Sequence, residues 1–392
     1  MRRLFAIGML LAVALLTGCG TDYKLPTESP KGRAVPSDGS YQMLSTWTGM
    51  NDVQDILLTQ GSSSQLFILF NHGGSGTTSR GEVRAYALTR PEVLAGYDFH
   101  VPADTPFNPV ALASGGDGIA ASANNRIYVL SRGDTCLARQ NPNTGNCSDT
   151  TGGFRNKVTH LEYYWRVFEY RLLAGDTVSS FTDTTMAYVS GVAADAMGRV
   201  YVGGIAIVSV PSQIDPTLSE RVYQSRVYRY VHGGSDPNMP GANWHRDHSW
   251  QVEEGSGVGT LQDPHGLFWS PAGAVGDQAL YAADFGKNWI QKLSDQTTST
   301  GLFIIDGAQS GTSLQGPTDV AVDLQGFIYV ADAGNHRVLR YSPLASYVQR
   351  VDVEKDASGR ELVDPIAVAA DDSLVYVADP GTAQVIRYKR RP

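Results

Sequence analysis

The sequence predicts an all-β fold, a six-bladed β-propeller whose ring is closed by a strand from the N-terminal side. Three observations predict it. A triplet of short β-rich runs recurs at near-constant spacing along the 392 residues. Six copies can be traced. The last copy stops one strand short, and one unassigned strand precedes the first.

The clearest copy is Gly316-Pro317-Thr318-Asp319-Val320-Ala321-Val322-Asp323, then Gly326 to Asp332, then Asn335 to Tyr341. Each run is rich in β-branched and aromatic residues and bounded by turn residues. The next copy runs from Asp364 to Asp371, Val375 to Asp379 and Gln384 to Tyr388. The preceding one has Asp263-Pro264-His265-Gly266-Leu267, Leu280 to Asp284 and Trp289 to Leu293. Tyr281, Tyr329 and Tyr376 mark the middle strand, 48 and then 47 residues apart. A period of this length is the mark of a repeat array.

Upstream copies carry insertions. Ser190 to Asp195 and Val200 to Gly203 are separated from their third strand, Arg226 to Tyr230, by residues 204–225. Pro109 to Leu112 and Ile127 to Leu130 are separated from Arg166 to Tyr170 by residues 132–164. The weakest copy is Val53 to Leu58, Leu66 to Phe70 and Glu82 to Tyr86. A blade is apolar on both faces and can bury them only against neighbouring blades. Ring closure also protects the sheet edges. The final copy lacks a fourth strand, and Tyr41 to Trp47 is expected to supply it.

The triplet resembles the NHL repeat and, more broadly, NHL- or TolB-like six-bladed propellers. Residues 108–388 are also similar to the lyase domain of peptidylglycine α-amidating enzymes. Pro317 to Val322 matches a segment there. In that family the histidine matching His265 in Pro264-His265-Gly266-Leu267 is a zinc ligand, and the arginine matching Arg132 in Ser131-Arg132-Gly133-Asp134 lies in the catalytic pocket. The resemblance therefore implies zinc or calcium and a lyase site in the funnel. Three departures weaken that implication. A second zinc histidine is replaced by Ile366 after Pro365. The active-site tyrosine is missing from Ala333-Gly334-Asn335-His336. An arginine is replaced by Pro380 after Asp379. A lone imidazole cannot hold a catalytic zinc ion, which needs about three protein ligands. No catalytic residue is assigned, and the chain leans away from being an enzyme. His265 and Arg132 remain weak candidates: His265 as a mouth-lining group or a turn histidine, Arg132 as an anion contact or a partner of Asp134.

The chain begins with a basic Arg2-Arg3 and an apolar run from Leu4 to Leu16, too short to span a bilayer comfortably. Leu16-Thr17-Gly18-Cys19 resembles the lipobox of bacterial lipoproteins. That resemblance implies a signal peptide over residues 1–19, acylation (palmitate among the acyl chains) at Cys19 and a lipid anchor. Gly20 after the cysteine favours the outer membrane in the Gram-negative sorting pattern. Residues 20–40, with Pro26, Pro30 and Pro36, read as a tether, and 41–392 as the propeller. Removing the leader takes away two of 31 basic residues and none of 39 acidic ones, leaving a net charge of −10. Such a chain would be repelled by phosphate backbones, which argues against nucleic acid.

With Cys19 lipidated, only Cys136 and Cys147 remain. An envelope location predicts that they form a disulfide, stabilising by about 2–3 kcal/mol. His245-Arg246-Asp247-His248 looks like a metal cluster but reads as a loop, without the helix that would bring an i, i+3 pair together. Trp244, Trp250 and Trp269 read as blade packing. Asp284, Asp332 and Asp379 recur at one repeat position, and recurrence points to structure. Asp332 and Arg337 are expected to staple their hairpin.

The sequence thus points to a tethered propeller that serves as a binding scaffold for an envelope protein, peptide or glycan, with residues 132–164 and 204–225 as specificity elements. The alternative is a propeller enzyme, a lyase or hydrolase with its site in the funnel.

Overall fold

The computed structural model describes residues 39–391, apart from 60–63, 73–78, 90–91, 103–106, 116–125, 137–162, 173–176, 216, 235, 240–242, 271–277, 296–298 and 354–360. Residues 1–38, with the lipobox at Cys19, lie outside the described residues, as does Cys147. Ser40–Arg391 form one compact unit.

That unit is a ring of six antiparallel sheets. β1 (Tyr41–Thr48) comes first. Blade 1 is β2 (Val53–Leu58), β3 (Leu66–Asn71), β4 (Ser79–Tyr86) and β5 (Val93–Pro102). Blade 2 is β6 (Phe107–Gly115), β7 (Arg126–Cys136), β8 (Tyr163–Arg171) and β9 (Thr177–Phe181). Blade 3 is β10 (Met186–Ala194), β11 (Val200–Pro211), β12 (Ser219–His232) and β13 (Trp244–Glu254), with the two-residue β14 (Thr260–Leu261) added in parallel. Blade 4 is β15 (Pro264–Trp269), β16 (Ala279–Asp284), β17 (Trp289–Ser294) and β18 (Gly301–Ile305). Blade 5 is β19 (Pro317–Val322), β20 (Ile328–Asp332), β21 (Arg337–Tyr341) and β22 (Tyr347–Arg350). Blade 6 is β23 (Ala367–Ala370), β24 (Leu374–Asp379) and β25 (Gln384–Arg390).

β1 completes blade 6. It pairs antiparallel with β25 from Tyr41↔Arg390 to Thr48↔Gln384, so the two ends of the ring are joined by hydrogen bonds. Trp47 is buried at this seam, its ring 5.6 Å from Tyr86 of blade 1 and 6.0 Å from Tyr376 of blade 6.

The period-2 alternation of each strand explains why the ring is stable. Val368, Ala370, Val375 and Val377 of blade 6 pack toward blade 5, while Ala367, Ala369, Tyr376 and Ala378 pack toward blade 1. Six apolar clusters result, one at each junction between adjacent blades, and the junction of blades 6 and 1 is as apolar as the rest. Each fully buried Val or Leu contributes about 1.5–3 kcal/mol. An isolated blade would expose two such faces at once.

The recurring aspartates are structural, as their recurrence predicts. Asp284, Asp332 and Asp379 are fully buried. Each accepts backbone N–H groups from the segment leading into its own blade: Asp284 from Asp263 (3.0 Å), Asp332 from Gln315 (2.7 Å), Asp379 from Asp364 (2.8 Å). Arg337 Nε also donates to Asp332 at 2.6 Å, the expected hairpin staple. Trp244, Trp250 and Trp269 are buried between blades.

Candidate functional site

The six innermost strands start on one face of the ring, called the mouth face here, and run down a central channel. Each carries an equivalent position near its mouth end: Asp55, Ala111, Gly191, Gly266, Asp319 and Ala367. In four strands the pairing register slips immediately before it, and in β15 the slip contains Gly266. Small residues are needed here because the blades converge. A Cβ on Gly191 would lie 1.8 Å from the His265 carbonyl oxygen, and one on Gly266 would lie 2.4 Å from Asp319 Oδ1. The channel below has an interior volume of about 40 Å³. That admits a few waters and no organic ligand.

Two blades place a carboxylate at this constriction. Asp55 Oδ2 accepts the Leu112 N–H of blade 2 at 2.7 Å, and its Oδ1 accepts the Ile56 N–H at 2.7 Å. Asp319 Oδ2 accepts the Val368 N–H of blade 6 at 2.8 Å. Each therefore reaches across a junction into the next blade, where Ala111 or Ala367 leaves room. Burial in the channel pushes the Asp55 carboxyl up to about 7, although two N–H bonds oppose the shift. Burial, then repulsion by Asp55, raises Asp319 well above the usual carboxylate range.

His265 stands at the rim of this constriction. Its ring stacks on Phe285 at 4.6 Å and its Nε2 lies 3.5 Å from Asp263 Oδ1. Arg132 lies on β7 at the junction of blades 2 and 3. Its Nη1 donates to the Val189 carbonyl at 3.0 Å and its guanidinium lies 4.2 Å from the Tyr188 ring centroid. No hydrogen bond joins Arg132 to His265. The side chains of Asp134 and Cys136 and all of Cys147 lie outside the described residues, so neither the Arg132–Asp134 pair nor the disulfide is on view. Ile366, where the lyase family has a zinc histidine, instead donates its backbone N–H to Ala378 O at 3.0 Å. Pro380 opens the short turn Pro380–Thr382.

One expectation needs correction. His245 to His248 lie on strand β13, not in a loop. The register slips between Tyr228 and Tyr230, because residues 247–250 have no partner on β12. His245 Nδ1 contacts the Gly233 carbonyl, Asp247 accepts Arg229 Nε at 2.9 Å, and His248 Nε2 points to Asp236 at 3.7 Å. The extended strand and its slip disperse the group. Among the described residues, no three His, Cys, Asp or Glu side chains gather as a metal site.

The described strands that lead into the long insertions rise from the mouth face. In blade 5, β20 runs one residue past its partner of Asp319, from Ala331 to Asp332. In blade 3, β11 passes Gly203, the partner of Gly191, and continues paired with β12 as far as Pro211↔Ser219. At strand rise this ribbon reaches roughly 25 Å further. Gly203 lies beside Pro264, the first residue of β15, which fixes the ribbon's base at the mouth. Ser225 Oγ bonds the Gln262 carbonyl there, and Ser225 N–H donates to Glu254 Oε2 at 2.9 Å. At the tip, Ile214 is 95% exposed and Leu218 61%. β7 likewise continues past Leu130 to Cys136, paired with Tyr163 of β8.

The family model for the NHL repeat matches residues 314–341, which are the first three strands of blade 5. The fold is a six-bladed β-propeller whose fifth blade matches the NHL repeat. The PQQ-bound aldose sugar dehydrogenase of Streptomyces coelicolor has the same fold, with TM-score 0.50 and 13% identity over 91% of this chain and 100% of that one. Virginiamycin B lyase from Staphylococcus aureus aligns with TM-score 0.46 and 9% identity, over 90% of this chain and 100% of that one. At 13% identity the likeness to the dehydrogenase concerns the fold alone. No curated protein matches the sequence.

The Asp55–Asp319 pair went unassigned in the sequence reading. Its signal was present: four of the six aligned innermost positions hold Gly or Ala, and two hold Asp.

Proposed function

We propose that this chain is a lipid-anchored propeller of the bacterial cell envelope, at the outer membrane, that binds an envelope protein, peptide or glycan across its mouth face. The observation that carries the reading is the one-sided elevation of blades 2 and 3. Their second and third strands extend from the same face at which all six innermost strands begin. The channel is too narrow for a ligand to enter, so contact falls on the face and its raised wall. Large exposed apolar side chains at a ribbon tip favour recognition of a partner, because such groups rarely serve stability. The leader and Gly20 support the address.

The experiment replaces residues 207–223 by a two-residue Asn-Gly turn, which joins the paired residues Ala206 and Gln224 and closes the ribbon near blade level. The full chain and this variant are cross-linked in intact envelopes and the adducts compared. A control carries Leu344→Ser on the opposite face, where Leu344 is 87% exposed. The expected result is loss of the specific adduct in the ribbon variant alone, with Tm unchanged. An undiminished adduct sinks the reading.

A further inference from the structure

The ring has a second face, opposite the mouth and called the base here, and both ends of the described chain emerge on it. β1 begins at Tyr41, paired with Arg390 at the end of β25, whereas its other end, Thr48, pairs with Gln384 beside the mouth-side turn Pro380–Thr382. The Arg391 N–H donates to the Ser40 carbonyl at 2.8 Å. The buried hydroxyls of Tyr41 and Tyr329 lie 3.1 Å apart, which fixes this exit against blade 5. The segment leading back to Cys19 therefore starts from the base of blades 5 and 6. Read as a tether, residues 20–40 span roughly 25 Å on average. That is close to the depth of one blade, since a six-residue strand rises roughly 20 Å.

The base at this corner presents apolar turn tips and cations. The turn joining β21 to β22 lifts Leu344, 87% exposed, at its tip. That turn is tightly held: Ser342 N–H donates to Ser346 O at 2.8 Å, Ala345 N–H donates to Ser342 O at 2.9 Å, and Ala345 takes a left-handed φ of 62°. Leu324 is exposed on the turn between β19 and β20, where Asp323 Oδ1 accepts the Gln325 and Phe327 N–H groups at 3.0 and 2.8 Å. Met197, 65% exposed, stands on the corresponding turn of blade 3, organised by Asp195 in the same way. Large apolar side chains on ordered turn tips add nothing to the core and mark a contact surface. On the blade 6 side, Lys389 and Arg391 are exposed and Arg390 is half-buried. Of the acids at this corner, Asp323 is fully buried, Asp371 Oδ1 accepts the Ser373 and Leu374 N–H groups at 2.8 and 2.7 Å, and Asp372 is half-buried.

We propose that this base, through Leu324, Leu344, Lys389 and Arg391, rests on the anionic headgroup surface of the bilayer that holds the acyl chains, so that the mouth and its ribbon point away from the membrane. The proposal rests on the lipid-anchored reading. The leucines enter the interfacial layer while the cations stay at headgroup level. The tether keeps the patch at high local concentration beside the lipid, so a small contact suffices. Ile214 at the ribbon tip, although more exposed than Leu344, stays in the aqueous phase on the far side.

The test uses the full acylated chain in vesicles of phosphatidylglycerol and phosphatidylethanolamine. A photoreactive benzoylphenylalanine replaces either Leu344 or Ile214, and lipid adducts are measured by mass spectrometry. The yield from residue 344 is expected to be about tenfold higher, because an interfacial contact reaches only the headgroup and upper acyl layer. Equal yields, or a higher yield from residue 214, overturn the proposal. Exchanging phosphatidylglycerol for phosphatidylcholine is expected to lower the yield at residue 344 severalfold, because the cations lose their anionic partner. An unchanged yield overturns the part given to Lys389 and Arg391. The mass of the N-terminal peptide separates the two readings. Without acyl chains on Cys19 the anchored reading fails, and this proposal with it. With acyl chains present and equal yields, the orientation alone fails.

Discussion

Blades 4, 5 and 6 join their second and third strands by the same four-residue turn, whereas blades 2 and 3 extend those strands away from the ring. In the regular half the turns are Phe285–Asn288, Ala333–His336 and Pro380–Ala383. Each begins after a fully buried aspartate and ends in a left-handed residue: Asn288 at φ 59°, His336 at φ 53°, Ala383 at φ 57°. His336 Nδ1 lies 2.5 Å from the Val363 carbonyl, linking its turn to the segment leading into blade 6. Among the described residues of the elaborated half, no turn between second and third strands begins after such a buried aspartate. At the ribbon tip Asp215 only organises its own turn, accepting the Thr217 N–H at 3.0 Å. The contrast teaches where each half spends its polar groups. The regular half repeats one polar lock at every such turn, while the described locks of the elaborated half, such as Arg132 to Val189 and Ser225 to Gln262, each occur once.

The largest expected effect lies in the regular half. Asp332→Ala removes the acceptor for Gln315 N, Asn335 Nδ2 and Arg337 Nε, and leaves a buried guanidinium short of its carboxylate. Breaking one partner of such a buried pair costs about 3–5 kcal/mol. Chemical denaturation measures it. A loss below about 1 kcal/mol would erase the distinction between the halves.

Blade 2 supplies the next test. Glu169 is buried on β8 and holds its neighbours from within: Arg126 Nε donates at 3.0 Å, Ser179 donates as well, and His232 lies 3.3 Å away. Burial alone would raise its carboxyl, but His232, Ser179 and Arg126 outweigh that and hold it below the usual glutamate value. A depressed pKa contributes stability that is present above about pH 4 and lost as pH falls through the folded value. Glu169→Gln is expected to cost about 1–3 kcal/mol at neutral pH. It should also flatten the acid limb of the stability profile. An unchanged acid limb would show that the elaborated half lacks this internal anchor.

These two sites differ in how far the sequence disclosed them. Asp332 and Arg337 belong to a repeat, and repetition marks a position as architectural before any contact is known. The closing strand was legible for a related reason: a propeller blade that stops at Tyr388 is missing an edge, and Tyr41 to Trp47 is the only nearby strand without a blade. Glu169 carries no such mark, since its partners Ser179 and His232 come from β9 and from the far end of β12. The same holds for Asp55 and Asp319. Their meaning depends on blades 1 and 5 facing one channel, a relation that arises only when the ring closes. The misplacement of His245 to His248 has a local cause. A strand interrupted by a four-residue slip has no clean alternation, so polar residues between turn signals read as a loop.

The smallest effect sharpens the comparison at its most conserved geometric point within this chain, the left-handed end of each four-residue turn. Asn288 suits that conformation, because a short amide side chain tolerates it. His336 is compensated by its bond to Val363. Ala383 has neither advantage, yet its carbonyl must stay in place to accept the Met50 N–H at 3.0 Å. An L-residue in this region costs about 1–2 kcal/mol, and glycine returns part of that as greater freedom in the unfolded chain. Ala383→Gly is therefore expected to stabilise by about 0.5 kcal/mol, read as a small rise in denaturation midpoint. The substitution should help only if the turn is held rigidly by its ring neighbours. Destabilisation would mean that the regular half tolerates movement at this turn, and that its four-residue geometry is less strictly imposed than its repetition implies.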